Sequence, residues 1–318
     1  MPIMTYPGLA MTGKSILEMV TQGVVQYQCI KALTDKYNTI ASATLIMDLS
    51  VEAELFGSKI KFSENEIPTV TERLINGFDE LHLLQIPELG SGRSKEYLKA
   101  AELAAKNITD RPALGGIIGP FSLAGRLFDI TEIMTAILME PDGAHELLKI
   151  CVTFLKKYAK SFKDAGSNGI VIAEPAAGLL SPELCDEFSS QYVKQIVDYV
   201  QDENFIVVLH NCGNTTNLVE SMQSTGCKAM HFGNAVNMLD ILPQVDKDIL
   251  VLGNIDPAGV IKNSTPEVIY YVTLDLLNKT KEFNNFVLSS GCDIPPKTPL
   301  INLDAFFRAL KDFNQLNI

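Results

Sequence analysis

The chain has 318 residues, with 26 Lys+Arg against 38 Asp+Glu and a formal net charge of −12. An apolar share of 47% and a charged share of 20% exclude a disordered chain and are ample for a large core. The acidic balance argues against nucleic acid as a partner, because phosphate affinity needs a basic face. Met1 to Ala10 shows no basic segment leading into a long apolar run, and no stretch reaches the ~18 apolar residues of a membrane span. Six cysteines are too sparse for a disulfide scaffold, so the expectation is a cytoplasmic protein with reduced thiols and no membrane contact.

The elements alternate. Gly13 to Lys36 reads as one amphipathic helix, with a capping box from Ser15 to Glu18. Thr39 to Leu49 reads as a strand, and Thr69 to Leu84 and Ser94 to Lys106 as helices. Ala113 to Ile118 is a buried strand closed by Gly119-Pro120. Helices follow over Ser122 to Met139 and Pro141 to Ala165, the second ended by Gly166. Gly169 to Ala173 is a strand, and Ser181-Pro182 opens a long helix. Strands are then expected at Phe205 to Leu209, Lys228 to Phe232, Ile249 to Leu252 and Phe286 to Ser289. The helices between and after them are Asn214 to Thr225, one opened by Thr265-Pro266, and Leu303 to Phe313.

Seven short apolar strands separated by helices imply a parallel sheet covered on both faces; an eighth would fall in 58–68 or be irregular. No linker divides the chain, so residues 1–318 read as a single domain. No Gly-x-Gly-x-x-Gly follows the first strand, which weakens a dinucleotide-binding reading. The pattern alone leaves open a closed (β/α)8 barrel or an open doubly wound sheet. Polar signals recurring after successive strands suit a barrel that collects its site from several strand ends.

The sharpest such signal is Leu209-His210-Asn211-Cys212-Gly213. In extended chain His210 and Cys212 point to the same side. Cys292, in Ser289-Ser-Gly-Cys-Asp-Ile-Pro-Pro296, also follows a strand. One imidazole and two thiolates form a three-ligand zinc set with an open fourth position, as in catalytic sites, and such a site can hold a substrate thiol as thiolate. The plainer alternative is two small buried cysteines and a hydrogen-bonded histidine. Cys29, Cys151, Cys185 and Cys227 read as packing residues.

Glu174 follows the third of these strands. It is a candidate catalytic group, either as a temporary metal ligand or as a proton acceptor for a thiol, or else it caps the next loop. Asp48 holds a similar place after the first strand and is the second catalytic candidate. His231, at another strand end, either lies behind the metal ligands or is a satisfied core histidine. Asn254 and Asp256 sit in a loop that shapes the pocket. His231 and Asn254 are the candidates for cofactor contact.

Taken together these segments resemble the uroporphyrinogen decarboxylase superfamily, and within it the corrinoid-dependent methyltransferase branch. The segments are Tyr6-Pro-Gly-Leu-Ala-Met-Thr-Gly13, Asp48-Leu-Ser-Val-Glu-Ala-Glu-Leu-Phe-Gly57, Ile118-Gly-Pro-Phe-Ser-Leu-Ala-Gly125, Glu174 through Ser181-Pro182, and His210-x-Cys212 with Cys292. The resemblance spans nearly the whole chain in order. It implies a single-domain (β/α)8 TIM barrel whose active site, with zinc, lies at the C-terminal face. It further implies methyl transfer from a methylated corrinoid, free or on a separate carrier protein, to a thiol such as coenzyme M or homocysteine. No corrinoid-binding Asp-x-His-x-x-Gly motif is present in the chain itself. The decarboxylase branch carries an arginine-rich N-terminal segment where this chain has Gly8-Leu-Ala-Met-Thr-Gly13, and the first arginine here is Arg73. A substrate with many carboxylates needs several cations, which disfavours decarboxylation. The alternatives that stay open are a metal-free decarboxylase of this type and a non-catalytic corrinoid-binding barrel.

Overall fold

A computed structural model describes residues 1–43 and 47–316. Its main sheet has seven strands: β1 (Ser42–Ala43), β4 (Ala113–Ile118), β5 (Gly169–Ala173), β6 (Ile206–Asn211), β7 (Ala229–Phe232), β8 (Leu250–Ile255) and β9 (Phe286–Ser290). All neighbours pair in parallel and follow one another in chain order. A doubly wound sheet reverses its strand order midway, whereas a barrel does not, so the order selects the barrel.

Alternation along the strands separates two apolar layers. Leu114, Val171, Val208, Ala229 and Leu252 form one interior cluster with Met1, Ile3 and Ala41. Their neighbours Ile170, Ile172, Val207, Leu209, Met230 and Val251 belong to the large cluster beneath the helices. The inner set is the floor of the barrel. One pleat further on, the same side of β6, β7, β8 and β9 carries His210, His231, Asn254 and Ser289. A polar storey therefore stands on an apolar one, at the end where all strands finish.

All seven expected strands are present, though β1 is described only over Ser42–Ala43 because residues 44–46 lie outside the described set. An eighth barrel strand does not occur in 58–68. Instead β2 (Ile60–Lys61) and β3 (Thr69–Val70) form a separate antiparallel hairpin. Along β9 lies the stretch 1–4: Ile3 donates to Ser290 Oγ at 3.1 Å and accepts from Ile294 N–H at 2.9 Å.

Several helices differ from expectation for local reasons. The capping box at Ser15 and Glu18 is present, but the helix it opens stops at Thr21, and a second runs Gly23–Lys36 from the extended Gln22. Thr69 to Leu84 is not a helix: β3 starts it and a 3-10 turn, Phe78–Leu83, ends it. The expected Ser122–Met139 helix is two, Pro120–Phe128 and Ile130–Met139. They break at Asp129, whose φ of 81° cannot continue a helix and whose carboxylate caps Thr131 N–H. The Ser181-Pro182 start holds, and that helix passes through a wider π turn, Asp186–Ser190, before Gln191–Val200. Among the described residues no helix is long and apolar enough to cross a membrane.

Candidate active site

His210 is the fifth residue of β6 and shares the inward side with Val208; Cys212 follows two residues on. Cys292 comes from the turn after β9. One donor atom from each of the three lies within 4.8 Å of the other two. Cys292 Sγ is 3.7 Å from His210 Nε2, so it is this nitrogen that faces the thiols.

The other ring nitrogen is fixed by the register of the sheet. His210 and His231 are direct partners across β6 and β7, and their rings meet edge to face with centroids 4.7 Å apart. Nδ1 of His210 lies 2.8 Å from Nδ1 of His231 and 3.2 Å from the His231 carbonyl. His231 Nε2 lies 2.8 Å from Ser289 Oγ, and that hydroxyl donates to the Met1 carbonyl. Because the Ser289 proton is directed at Met1, the hydroxyl must accept from His231 Nε2–H. His231 Nδ1 is then a lone pair and must accept from His210 Nδ1–H. The relay leaves His210 with its Nε2 lone pair aimed at the thiols, which is the tautomer a metal ligand needs. Burial and the neighbouring His210 push the His231 pKa well below its usual range, so His231 stays neutral.

The two thiols are hydrogen-bonded to each other. The bond from the Cys292 thiol draws Cys212 well below its usual range, against its burial. Cys292 is raised correspondingly, first by that same bond and then by burial. One imidazole lone pair and two cysteine sulfurs are a donor set that could hold a zinc ion on three protein ligands. The residues present fit that ion.

Asn254 holds the loop between the two thiols. Its Nδ2 donates to the carbonyls of Gly233 at 2.9 Å and Val236 at 2.7 Å. That loop stacks on the metal-site turns so closely that a Cβ on Gly233 would sit 2.5 Å from Cys212 Cα, and one on Gly291 would sit 2.6 Å from the Asn234 nitrogen. Both positions need glycine for close approach. Asn254 and His231 thus support the turns behind the donors, and His231 is wholly buried.

Glu174 and Asp48 do not join the three-donor cluster. Glu174 Oε1 accepts from Ser122 N–H at 2.7 Å and Ser122 Oγ at 3.1 Å, at the start of the Pro120–Phe128 helix. Burial pushes its carboxyl up to about 8, against those hydrogen bonds. Its backbone is tied to β6: Glu174 N–H donates to the His210 carbonyl, and Asn211 Nδ2 donates to the Glu174 carbonyl at 2.7 Å. Asp48 is engaged on both oxygens. Oδ2 takes Arg93 and the Tyr97 hydroxyl, and Oδ1 takes the Ser50 hydroxyl. Its carboxylate anchors the turn that enters the Val51–Phe56 helix. Glu52, in the next turn, accepts from Ile118 N–H at 2.9 Å, and burial raises it to about 7.

Ser289, Arg93 and Tyr97 carry this arrangement and were not singled out by the sequence. For Ser289 a signal existed, since it lies two residues beyond the inward Val287 on β9. For Arg93 none did, because only the folded chain brings it to Asp48.

The fold and site define a parallel barrel enzyme with a His-Cys-Cys donor set at the strand C-termini. The uroporphyrinogen decarboxylase (URO-D) family pattern matches residues 10–313, and the chain belongs to that family. It is 29% identical to "Methylcobamide:CoM methyltransferase MtbA" of Methanosarcina acetivorans, over 98% of this chain and 94% of that protein. It is 32% identical to the protein of the same description from Methanosarcina mazei, over 84% of this chain and 78% of that one. The structure of a methyltransferase from Methanosarcina mazei superposes with a TM-score of 0.86 at 24% identity, covering 98% of this chain and 92% of that one, which confirms the TIM-barrel fold.

Proposed function

We propose that the protein is a zinc-dependent methyltransferase that moves a methyl group from a methylated corrinoid, free or on a separate carrier protein, to a thiol such as coenzyme M or homocysteine. The observation that carries this reading is the His210-Cys212-Cys292 cluster, with the His210 tautomer set by the relay behind it. The descriptions of the two Methanosarcina relatives support the same chemistry.

A zinc ion on these three donors would offer its fourth position to the substrate thiol and keep that thiol ionised at neutral pH. The chain's own residues do the rest. His210 presents a fixed lone pair, and Cys212 and Cys292 supply two sulfurs. Asn254 and the loop it holds keep the two thiol-bearing turns at a set spacing. Burial raises the Glu174 carboxyl to about 8, which favours its neutral form near pH 7.

Metal content by mass spectrometry tests this. Wild type should carry about one zinc per chain, and Cys212→Ser and Cys292→Ser much less. Metal-loaded wild type should then convert methylcobalamin and 2-mercaptoethanesulfonate to the methyl thioether. A protein that takes up no zinc on reconstitution refutes the mechanism, and metal-independent decarboxylation would replace it.

A further inference from the structure

A cleft of about 390 Å³ opens at the barrel mouth beside the β1, β4 and β5 ends, away from the three donors in the sheet order. Leu49 lines it from the segment after β1, and Leu179 from the loop after β5. The hairpin strand β3 supplies Val70, and Ile130 belongs to the helix beyond Asp129. These four are apolar, and Thr71, Glu72, Arg73 and Asp129 add polar groups to the lining. On the remaining side lies one face of the Pro120–Phe128 helix, where Ser122 and Arg126 are four residues apart and Gly125 leaves room between turns.

Arg126 is the exception among five arginines. Arg73 pairs with Glu132, Arg93 with Asp48 and Glu54, and Arg111 with Asp110; Arg308 lies 4.9 Å over the Tyr270 ring. Among the described residues Arg126 has no carboxylate, hydrogen bond or ring. The acids that line the same cleft are engaged elsewhere: Asp129 caps Thr131 N–H at 2.8 Å, and Glu72 pairs with Lys59 at 2.8 Å. Ser122 Oγ donates to Glu174 and accepts from Ala176 N–H. Arg126 is exposed on the cleft wall, where partial desolvation lowers its pKa and no acid raises it, so its guanidinium is accessible to a bound group.

We propose that this cleft is an oxyanion subsite, in which Arg126 pairs with the sulfonate, carboxylate or phosphate group of a reactant whose apolar part lies against Leu49, Val70 and Leu179. A planar guanidinium takes two oxygens of such a group side by side, and Arg126 is the lining charge left for it, since Arg73, Glu72 and Asp129 are paired or capping. The proposal rests on the transfer reaction above for its two reactants, each of which carries the required group. Coenzyme M ends in a sulfonate, and cobalamin carries a phosphodiester in its nucleotide tail.

The test is calorimetric binding to the zinc-loaded protein. The four probes are 2-mercaptoethanesulfonate, its uncharged counterpart 2-mercaptoethanol, cobalamin, and cobinamide, which lacks the phosphodiester. Arg126→Gln should weaken one charged probe by roughly 10- to 100-fold and leave its counterpart lacking the oxyanion unchanged. Arg126→Lys should fall between, since it keeps the charge and loses the fork. Loss for the sulfonate assigns the subsite to the thiol, and loss for cobalamin but not cobinamide assigns it to the corrinoid. Equal affinities in wild type and Arg126→Gln, with unchanged melting and zinc content, overturn the subsite and leave the transferase reading intact. A wild type that binds neither charged probe overturns the subsite too. Failure of the transferase reading is seen separately, as absence of zinc or of methyl transfer in wild type.

Discussion

His231→Leu isolates the relay from the donors it orients. The side chain is wholly buried, and its Nδ1 is the acceptor 2.8 Å from His210 Nδ1. Leucine fills comparable space but removes both the acceptor for His210 and the donor to Ser289. His210 Nδ1–H is left with the His231 carbonyl at 3.2 Å, and nothing favours Nε2 over Nδ1 as the lone pair as strongly as before. Loss of such an outer partner typically lowers metal affinity 10- to 100-fold, which is about 1.4 to 2.7 kcal/mol. His231→Asn is the control, because an amide oxygen can stand near the position of Nδ1 and restore the acceptor. The assay is competition for zinc against a chelator of known affinity, with cobalt substitution to read the donor geometry from its visible bands. His231→Leu should lose affinity by at least about 10-fold, and His231→Asn should recover part of it. A folded His231→Leu that holds zinc within twofold of wild type would refute the relay and leave His231 a packing residue.

Two further outcomes follow from the buried charges. Glu52 is raised from 4.5 to about 7 chiefly by burial, so the folded chain keeps a proton there that the unfolded chain has released. Its contribution to stability therefore falls as pH rises from 4.5 to 7, by roughly 3 kcal/mol in all, and is level above 7. Glu52→Gln should keep the acceptor for Ile118 N–H and flatten urea-derived stability across that window; an unchanged slope would contradict the assignment. Arg93→Met should cost about 3–5 kcal/mol, because it strands Asp48, whose side chain has 0% exposure. Asp48→Asn in the same chain should recover part of that loss, and additive losses in the double variant would show that the two residues do not depend on each other.

Strands and donors were legible in the sequence because each is a local signal. Short apolar runs bounded by Gly and Pro mark β4 to β9. The period of two that makes Val208 inward also sends His210 and Cys212 inward. The chain cannot show register from one strand alone. That His231 stands beside His210 rather than one residue away depends on β6 and β7 pairing Val208 with Ala229. A slip of one residue would turn His231 outward. Helix continuity failed for a related reason. Apolar periodicity runs through Asp129 unbroken, yet the chain needs a corner there, and Asp129 supplies it with a positive φ and a side-chain cap. At Thr69 to Leu84 apolar residues such as Val70, Ile75 and Phe78 pack on the core from a short strand, bends and a 3-10 turn, a spacing that periodicity alone does not separate from a helix.

The mouth of the barrel is divided by chemistry. His210, Cys212, Cys292 and the two relay side chains behind them come from β6, β7, β9 or the turns just after them. A separate set of ionisable groups stands on the other half, after β1, β4 and β5. They are Asp48, Glu54 and Arg93 in one paired network, Glu52 on Ile118 N–H, Glu174 at a helix start, and the exposed Arg126. A reaction between two molecules needs such a division. On the half that holds the thiols two carboxyls are pushed towards the protonated form: burial raises Asp293, next to Cys292, well above its usual range, and raises Glu174, whose backbone bonds to β6, to about 8. The half that binds a second group can be polar, provided its charges are already paired except where the ligand supplies the partner. Arg126 is the one charge there that meets the exception, which is why the cleft beside it, rather than the tighter network at Asp48, is the place to look for the rest of the substrate.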